Sequence, residues 1–131
     1  MARTNTITST FKVTGGSSAD AVSATIETAS FTSGESLVIN GVNDATGITY
    51  DVNDYFGASS YANGLLFQNR DSTHSADLTI KDDSGTPATV GLFTIPAGAG
   101  MLIRTDTNIN TVKVACSTAG ETVEFTLALA E

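Results

Sequence analysis

Short runs of alternating apolar and polar residues, separated by turn residues, constrain the fold of this chain most strongly. The cleanest run is Val123–Ala130, in which Val123, Phe125, Leu127 and Leu129 occupy every second position. A period of two is typical of a β-strand that faces the core on one side. No segment with a helical period is long enough to cross over between parallel strands. The sequence therefore predicts an all-β, antiparallel fold.

The same pattern recurs along the chain, and about eight or nine strands at this spacing are typical of a sandwich or barrel. We predict a jelly-roll-like β-sandwich, with an immunoglobulin-like sandwich as the next choice. A chain of 131 residues fits one domain of about 100–150 residues. We assign residues 17–131 to a single β-sandwich domain and the polar residues 1–16 to an N-terminal arm.

Two local patterns predict specific turns. Gly91–Arg104 reads as two apolar runs around Pro96–Gly100, which predicts a β-hairpin with a glycine-containing loop. Asn40-Gly41 is a dipeptide that favours tight turns between strands.

Composition and charge disfavour several classes of function. Charged residues make up 15% of the chain against about 25% in ordinary domains, and serine, threonine and glycine are abundant. The net charge is −8, and the six basic residues are scattered, so we expect no binding to nucleic acid. No apolar run approaches the ~20 residues of a membrane span, and Met1–Thr6 has no apolar leader region. We therefore expect synthesis in a cytoplasm and no contact with membranes.

The single cysteine and the single histidine offer little chemistry. Cys116 excludes an intramolecular disulfide, and it lies in phase with Val112 and Val114, which predicts a buried side chain. His74 lies in Arg70–Ser75, which reads as a polar turn, because neighbours in one turn rarely converge as a catalytic triad. We expect no catalytic residues, no metal site and no cofactor.

The least regular segment is Asp51–Gly64, which predicts one helical turn capped by Asp51 or Asn53. It carries Tyr55, Phe56 and Tyr61, which fit either a plug over the core or a contact surface, since tyrosine is enriched at interfaces.

The segments NGLLFQN, ADLTIKDDSG, FTIPAGAGMLI and VEFTLAL resemble small structural proteins of tailed bacteriophages, capsid decoration (cement) proteins in particular. The resemblance covers residues 63–131 and is one of repeated strand and turn patterns. It implies a non-enzymatic, jelly-roll-like module that forms a homotrimer on the capsid exterior of the virion. There it would bridge major-capsid subunits and oppose internal DNA pressure.

The contact residues that follow from this resemblance lie at two places. The arm Arg3–Val13 would reach a neighbouring subunit, and the loop Asp51–Tyr61 would add contact area. These candidate contact residues are Arg3, Ile7, Phe11, Val13, Tyr50, Tyr55, Phe56 and Tyr61.

The alternative function is a glycan- or receptor-binding β-sandwich module of a phage fibre. It predicts that Tyr55 and Tyr61 are exposed around a shallow groove, because aromatic rings stack on sugars. An enzyme is a more distant third possibility.

Overall fold

The computed structural model describes residues 3–5, 8–12, 23–27, 31–33, 36–82 and 89–130, with side chains at 37–82, 89 and 91–130. The chain divides into two compact units, residues 1–34 and residues 35–131. The predicted boundary after Gly16 stays a prediction, because residues 13–22 lie outside the described residues.

The strands and the one helix of the described residues are as follows. They are β1 (Arg3–Asn5), β2 (Thr8–Lys12), β3 (Ser23–Glu27), β4 (Phe31–Ser33), β5 (Ser36–Asp44), β6 (Ile48–Asp51), α1 (Val52–Phe56), β7 (Ala62–Asn69), β8 (Ala76–Asp82), β9 (Thr89–Ile95), β10 (Gly100–Cys116) and β11 (Thr122–Ala130).

The larger unit is built around β10, which takes part in two sheets. Its first part, residues 100–104, pairs with β7, while residues 109–116 pair with β8 and residues 111–114 also pair with β6. The register shifts between Arg104 and Ile109, where the strand passes from one sheet to the other. One sheet therefore runs β5-β11-β7-β10, and the other runs β6-β10-β8-β9.

The strand order is that of a jelly roll. Counting the two parts of β10 separately turns the seven strands of the larger unit into eight segments. We number these segments 1 to 8 along the chain, so that β5 is segment 1, the two parts of β10 are segments 6 and 7, and β11 is segment 8. The first sheet then has the spatial order 1-8-3-6, and the second has the order 2-7-4-5. Among the described strands of this unit, only β8 and β9 are consecutive and paired with each other. The predicted all-β, jelly-roll-like sandwich is confirmed.

The core lies between the two sheets and follows the alternation in the sequence. Val123, Phe125, Leu127 and Leu129 of β11 are all buried, as predicted. The buried residues that complete the same cluster include Leu65 and Phe67 of β7, Leu78 and Ile80 of β8, and Val112, Val114 and Cys116 of β10.

Aromatic rings connect the two sheets at the centre of this core. The Phe125 ring stacks on that of Phe67 in the same sheet, with centroids 5.6 Å apart. It also makes a T-shaped contact with Tyr50 of the opposite sheet, with centroids 6.1 Å apart. Asn43 of β5 also crosses the core, because its Nδ2 donates to the Val114 carbonyl at 2.8 Å. These contacts fix the two sheets face to face.

The predicted hairpin at Gly91–Arg104 is wrong. β9 pairs with β8, and the adjoining part of β10 pairs with β7, so Pro96–Ala99 carries the chain from one sheet to the other. The glycines still form a turn, in which the Ala99 N–H donates to the Pro96 carbonyl at 3.0 Å.

The predicted turn at Asn40-Gly41 is also wrong, because β5 runs straight through both residues. Gly41 lies opposite Phe125 of β11, and a Cβ at Gly41 would come within 2.6 Å of Phe125 Cζ. The glycine is therefore required for the close approach of the ring and not for a turn.

The smaller unit contains two consecutive antiparallel ladders. β1 pairs with β4, and β2 pairs with β3.

Candidate functional site

The corner between β6 and β7 carries the aromatic residues that the sequence singled out. The Asp51 carboxylate accepts a hydrogen bond from the Asn53 N–H at 2.9 Å, and α1 follows directly. The helix ends at Gly57, whose φ of 101° suits a residue without a Cβ. The predicted helical turn is confirmed, and of the two predicted caps, Asp51 and Asn53, Asp51 is the one that the structure shows. A five-residue helix between two strands projects its outer side chains away from the core.

The structure separates the predicted aromatic contact residues into core and surface. Tyr50 is 9% exposed and belongs to the core, so we remove it from the candidate contact residues. Phe56 is half-buried and packs against the core, which fits the plug that the sequence also allowed. Tyr61 is half-buried, and Tyr55 is 45% exposed. Tyr55 is therefore the aromatic residue of this corner that a partner can reach most readily.

The predicted contact residues of the arm stay predictions. Arg3 lies in β1 and Phe11 in β2, while Ile7 and Val13 lie outside the described residues.

An apolar groove at the side of the sandwich was missed by the sequence reading. Its volume is about 210 Å³, and it lies between β9 of one sheet and β10 of the other. The residues that line it are Ile80, Phe93, Ile103, Thr105 and Ile109. Phe93 is 39% exposed here, and its neighbour Leu92 is 73% exposed on the outer face of β9. Leu92, an apolar residue out of phase with Phe93 and Ile95, is a sequence signal for the apolar outer face of β9 and not for the groove.

The outer face of β5 is a second apolar surface. Val38 and Val42 are 62% and 63% exposed, and no charged residue lies between Ser36 and Asn43. An uncharged strand with exposed valines is a surface that favours contact with other protein.

A buried amide organises the end of the sandwich opposite the register shift of β10. Asn69 is fully buried at the end of β7. Its Nδ2 lies within hydrogen-bond distance of three carbonyls, those of His74 at 2.9 Å, Ile95 at 3.0 Å and Pro96 at 3.1 Å. Its Oδ1 accepts the Asp71 N–H at 3.0 Å. One side chain thus joins the β7–β8 loop to the β9–β10 turn.

His74 lies beside two carboxylates in the β7–β8 loop. Its Nδ1 is 3.4 Å from Asp71 Oδ1, and its Nε2 is 4.0 Å from Glu121 Oε2. The Asp71 carboxylate also accepts the N–H groups of Thr73 and His74, both at 2.7 Å. These bonds close a tight loop, which is the role predicted for this segment.

The same bonds lower the pKa of Asp71. The N–H of His74 makes the largest contribution and that of Thr73 the next, because both stabilise the ionised carboxylate. A lowered pKa in the folded state means that the ionised carboxylate stabilises the fold above its usual pKa. This stabilisation is lost as the pH falls through the folded-state pKa.

We therefore expect Asp71→Asn to make the thermal stability of the chain less sensitive to acid. Asparagine retains an acceptor oxygen but cannot ionise, so wild type should have the higher melting temperature near neutral pH. The difference in melting temperature between the two proteins should shrink as the pH falls below about 4, the usual pKa of aspartate. Melting curves of both proteins across this range measure it, and a constant difference at all pH values would contradict the assignment.

The described residues contain no group of three or more histidine, cysteine or acidic side chains placed to hold a metal ion. In the same part of the chain, no helix has the length and apolar character needed to cross a membrane.

No known protein family matches this chain, and no curated protein matches it in sequence.

Proposed function

We propose that the chain is a non-enzymatic structural protein of a phage virion, which decorates the capsid exterior and stabilises it by bridging major-capsid subunits. The observation that carries the proposal is the jelly-roll order of the larger unit. Viral capsid proteins and lectins are both built on this fold. Capsid proteins correspond to the proposed function, and lectins correspond to the alternative, a glycan-binding module.

The surface favours protein contact over sugar binding. Val38, Val42 and Leu92 are the most exposed large apolar side chains that the structure describes. They lie on two strands at the edges of different sheets, so the sandwich presents apolar side chains in more than one direction. A protein that bridges neighbouring subunits needs contacts of this kind. Repetition over the capsid then converts modest contacts into tight binding through avidity.

Glycan binding remains the second candidate, and the exposed Tyr55 favours it. A glycan-binding module should lose binding on a glycan array when Tyr55 is replaced by alanine. The capsid proposal expects no specific glycan binding by wild type in the same assay.

We expect the purified chain to co-sediment with expanded capsids that lack it, up to a saturating ratio of chain to capsid subunit. Leu92→Thr keeps a residue suited to a strand but removes the apolar contact. It should weaken binding about tenfold, which corresponds to about 1.4 kcal/mol.

Thr118→Ala is the matched control, because Thr118 is exposed in the turn between β10 and β11 and contributes no large apolar surface. It should bind like wild type. Wild-type chain that stays in the supernatant at all concentrations would refute the proposal, and equal binding by Leu92→Thr would exclude β9 from the contact.

A further inference from the structure

The apolar groove between β9 and β10 lies beside an inward-facing position that has no side chain. Gly91 of β9 is paired with Ile80 of β8, whose side chain is buried in the core. Residues directly opposite each other in an antiparallel pair point to the same face of the sheet, so residue 91 also faces inward. A side chain at this position would take up part of the space, and the glycine leaves it open.

The lining of the groove suits an uncharged ring. Ile80 and Ile109 are almost completely buried, Ile103 is half-buried, and Phe93 is 39% exposed. Of the five lining residues, only Thr105 is polar. An apolar cavity of about 150 Å³ lined by similar side chains binds benzene. The volume of about 210 Å³ therefore accommodates one aromatic ring with a small substituent.

Phe93 gives the groove an aromatic wall. Its ring lies over Gly91, because a Cβ at residue 91 would overlap Phe93 Cε2. Aromatic rings attract each other in offset-stacked and edge-to-face arrangements, beyond the effect of the apolar area that they bury. The wall therefore favours an aromatic occupant over an aliphatic one of the same size.

The distribution of charge favours an occupant that is carried on another protein. Residues 84–103, which include β9 and the start of β10, contain no charged residue, although the chain has a net charge of −8. An apolar partner can therefore approach this strand without removing its charges from water, which would cost free energy. Leu92, 73% exposed on the outer face of β9, extends the apolar contact beyond the groove.

We infer that the groove binds a single aromatic side chain of the capsid subunit that this chain contacts. The ring enters beside Phe93 and covers Ile103, while residues next to it on the partner contact Leu92. Aromatic side chains that fill a desolvated pocket are common anchors of protein interfaces. The inference rests on the proposed function and names the chemistry by which β9 binds its partner.

Titration with p-cresol, which carries the ring of a tyrosine side chain, tests the groove in the isolated chain. The methyl NMR signals of Ile80, Ile103 and Ile109 should shift together and saturate. The matched compound is 4-methylcyclohexanol, which has a similar size but no aromatic ring and should bind about three- to tenfold more weakly. In Phe93→Ala the two compounds should bind equally, because the aromatic wall is gone.

Ile103→Phe tests the same groove in the capsid complex. Ile103 is paired with the buried Leu65 and faces inward, so a larger side chain at this position fills the groove from within. The variant should lose the saturable shifts with p-cresol and should co-sediment with expanded capsids about tenfold more weakly than wild type. Thr118→Ala should match wild type in both assays.

Phe93→Ala guards against misfolding of the filled variant, because it enlarges the groove and does not overpack it. It should also weaken capsid binding, by about three- to tenfold. Urea unfolding of both variants shows whether the fold is kept.

Two results would overturn the inference. One is p-cresol binding that does not saturate or does not exceed that of 4-methylcyclohexanol. The other is capsid binding by folded Ile103→Phe and Phe93→Ala that equals that of wild type, which refutes the inference and leaves the proposed function intact. Wild type that binds p-cresol in the groove but never co-sediments with capsids refutes the proposed function, while the groove stands as a site for an aromatic ring.

Discussion

Phe125→Ala should lower the free energy of unfolding by about 3–5 kcal/mol, the usual cost of removing a fully buried phenylalanine. The ring is stacked on that of Phe67, with centroids 5.6 Å apart, and makes a T-shaped contact with Tyr50, with centroids 6.1 Å apart. Its loss removes the aromatic contact between the two sheets as well as buried apolar area. Gly41 leaves part of the resulting cavity unlined, because it has no side chain that could move in. Urea unfolding, followed by circular dichroism, measures the effect.

Phe93→Ala is the matched control for this prediction. Phe93 lies on β9 beside the open groove and is 39% exposed, so its truncation should cost about 1 kcal/mol. Similar losses for the two variants would show that Phe125 does not occupy the centre of the core.

Asn69→Ala should lower the free energy of unfolding by about 3 kcal/mol, although it removes only a small polar side chain. The substitution removes the Nδ2 donor from the buried carbonyl of Ile95 and from the part-buried carbonyl of His74, and it leaves a void in a fully buried site. Each unsatisfied buried group costs about 1–3 kcal/mol. The β7–β8 loop and the β9–β10 turn should loosen together.

Hydrogen exchange measured by NMR tests whether both segments are affected. The N–H of Gly98, which donates to the Asp71 carbonyl at 3.0 Å, should exchange faster in Asn69→Ala. Thr118→Ala, at an exposed position in the turn between β10 and β11, should cost less than about 1 kcal/mol and leave that exchange rate unchanged. Unchanged exchange at Gly98 in Asn69→Ala would contradict the linking role of Asn69.

Alternation in the sequence was sufficient to predict the class of the fold and most of its core. The runs at β7, β8, β10 and β11 each bury the residues that their period of two assigns to the inside. The pattern works because every strand of a sandwich has one face on the shared core. It gives the inward residues of a strand but does not identify the strand beside it.

The failed predictions concern pairing and close approach. In Gly91–Arg104, two strands separated by a short turn belong to different sheets, because the chain crosses the sandwich at Pro96–Ala99. A local pattern is the same for a hairpin and for such a crossing. Likewise, Asn40-Gly41 matches a turn dipeptide, but its glycine accommodates a ring that lies 84 residues further along the chain.

The candidate site was predictable where local chemistry determines it. The helical turn follows from neighbouring residues and was predicted correctly, and its cap Asp51 is one of the two caps that were predicted. The burial of Tyr50 depends on Phe125, and the role of Asn69 depends on carbonyls about 26 residues away. Distant contacts of this kind leave no mark on the local sequence pattern.

Immunogold electron microscopy of intact virions tests the proposed location most directly. Antibodies raised against residues 35–131 should be applied to particles of a phage whose genome encodes this chain. Our account predicts gold over the outer surface of the head, distributed around the whole capsid. Label confined to fibre tips, or no label on intact particles, would contradict it.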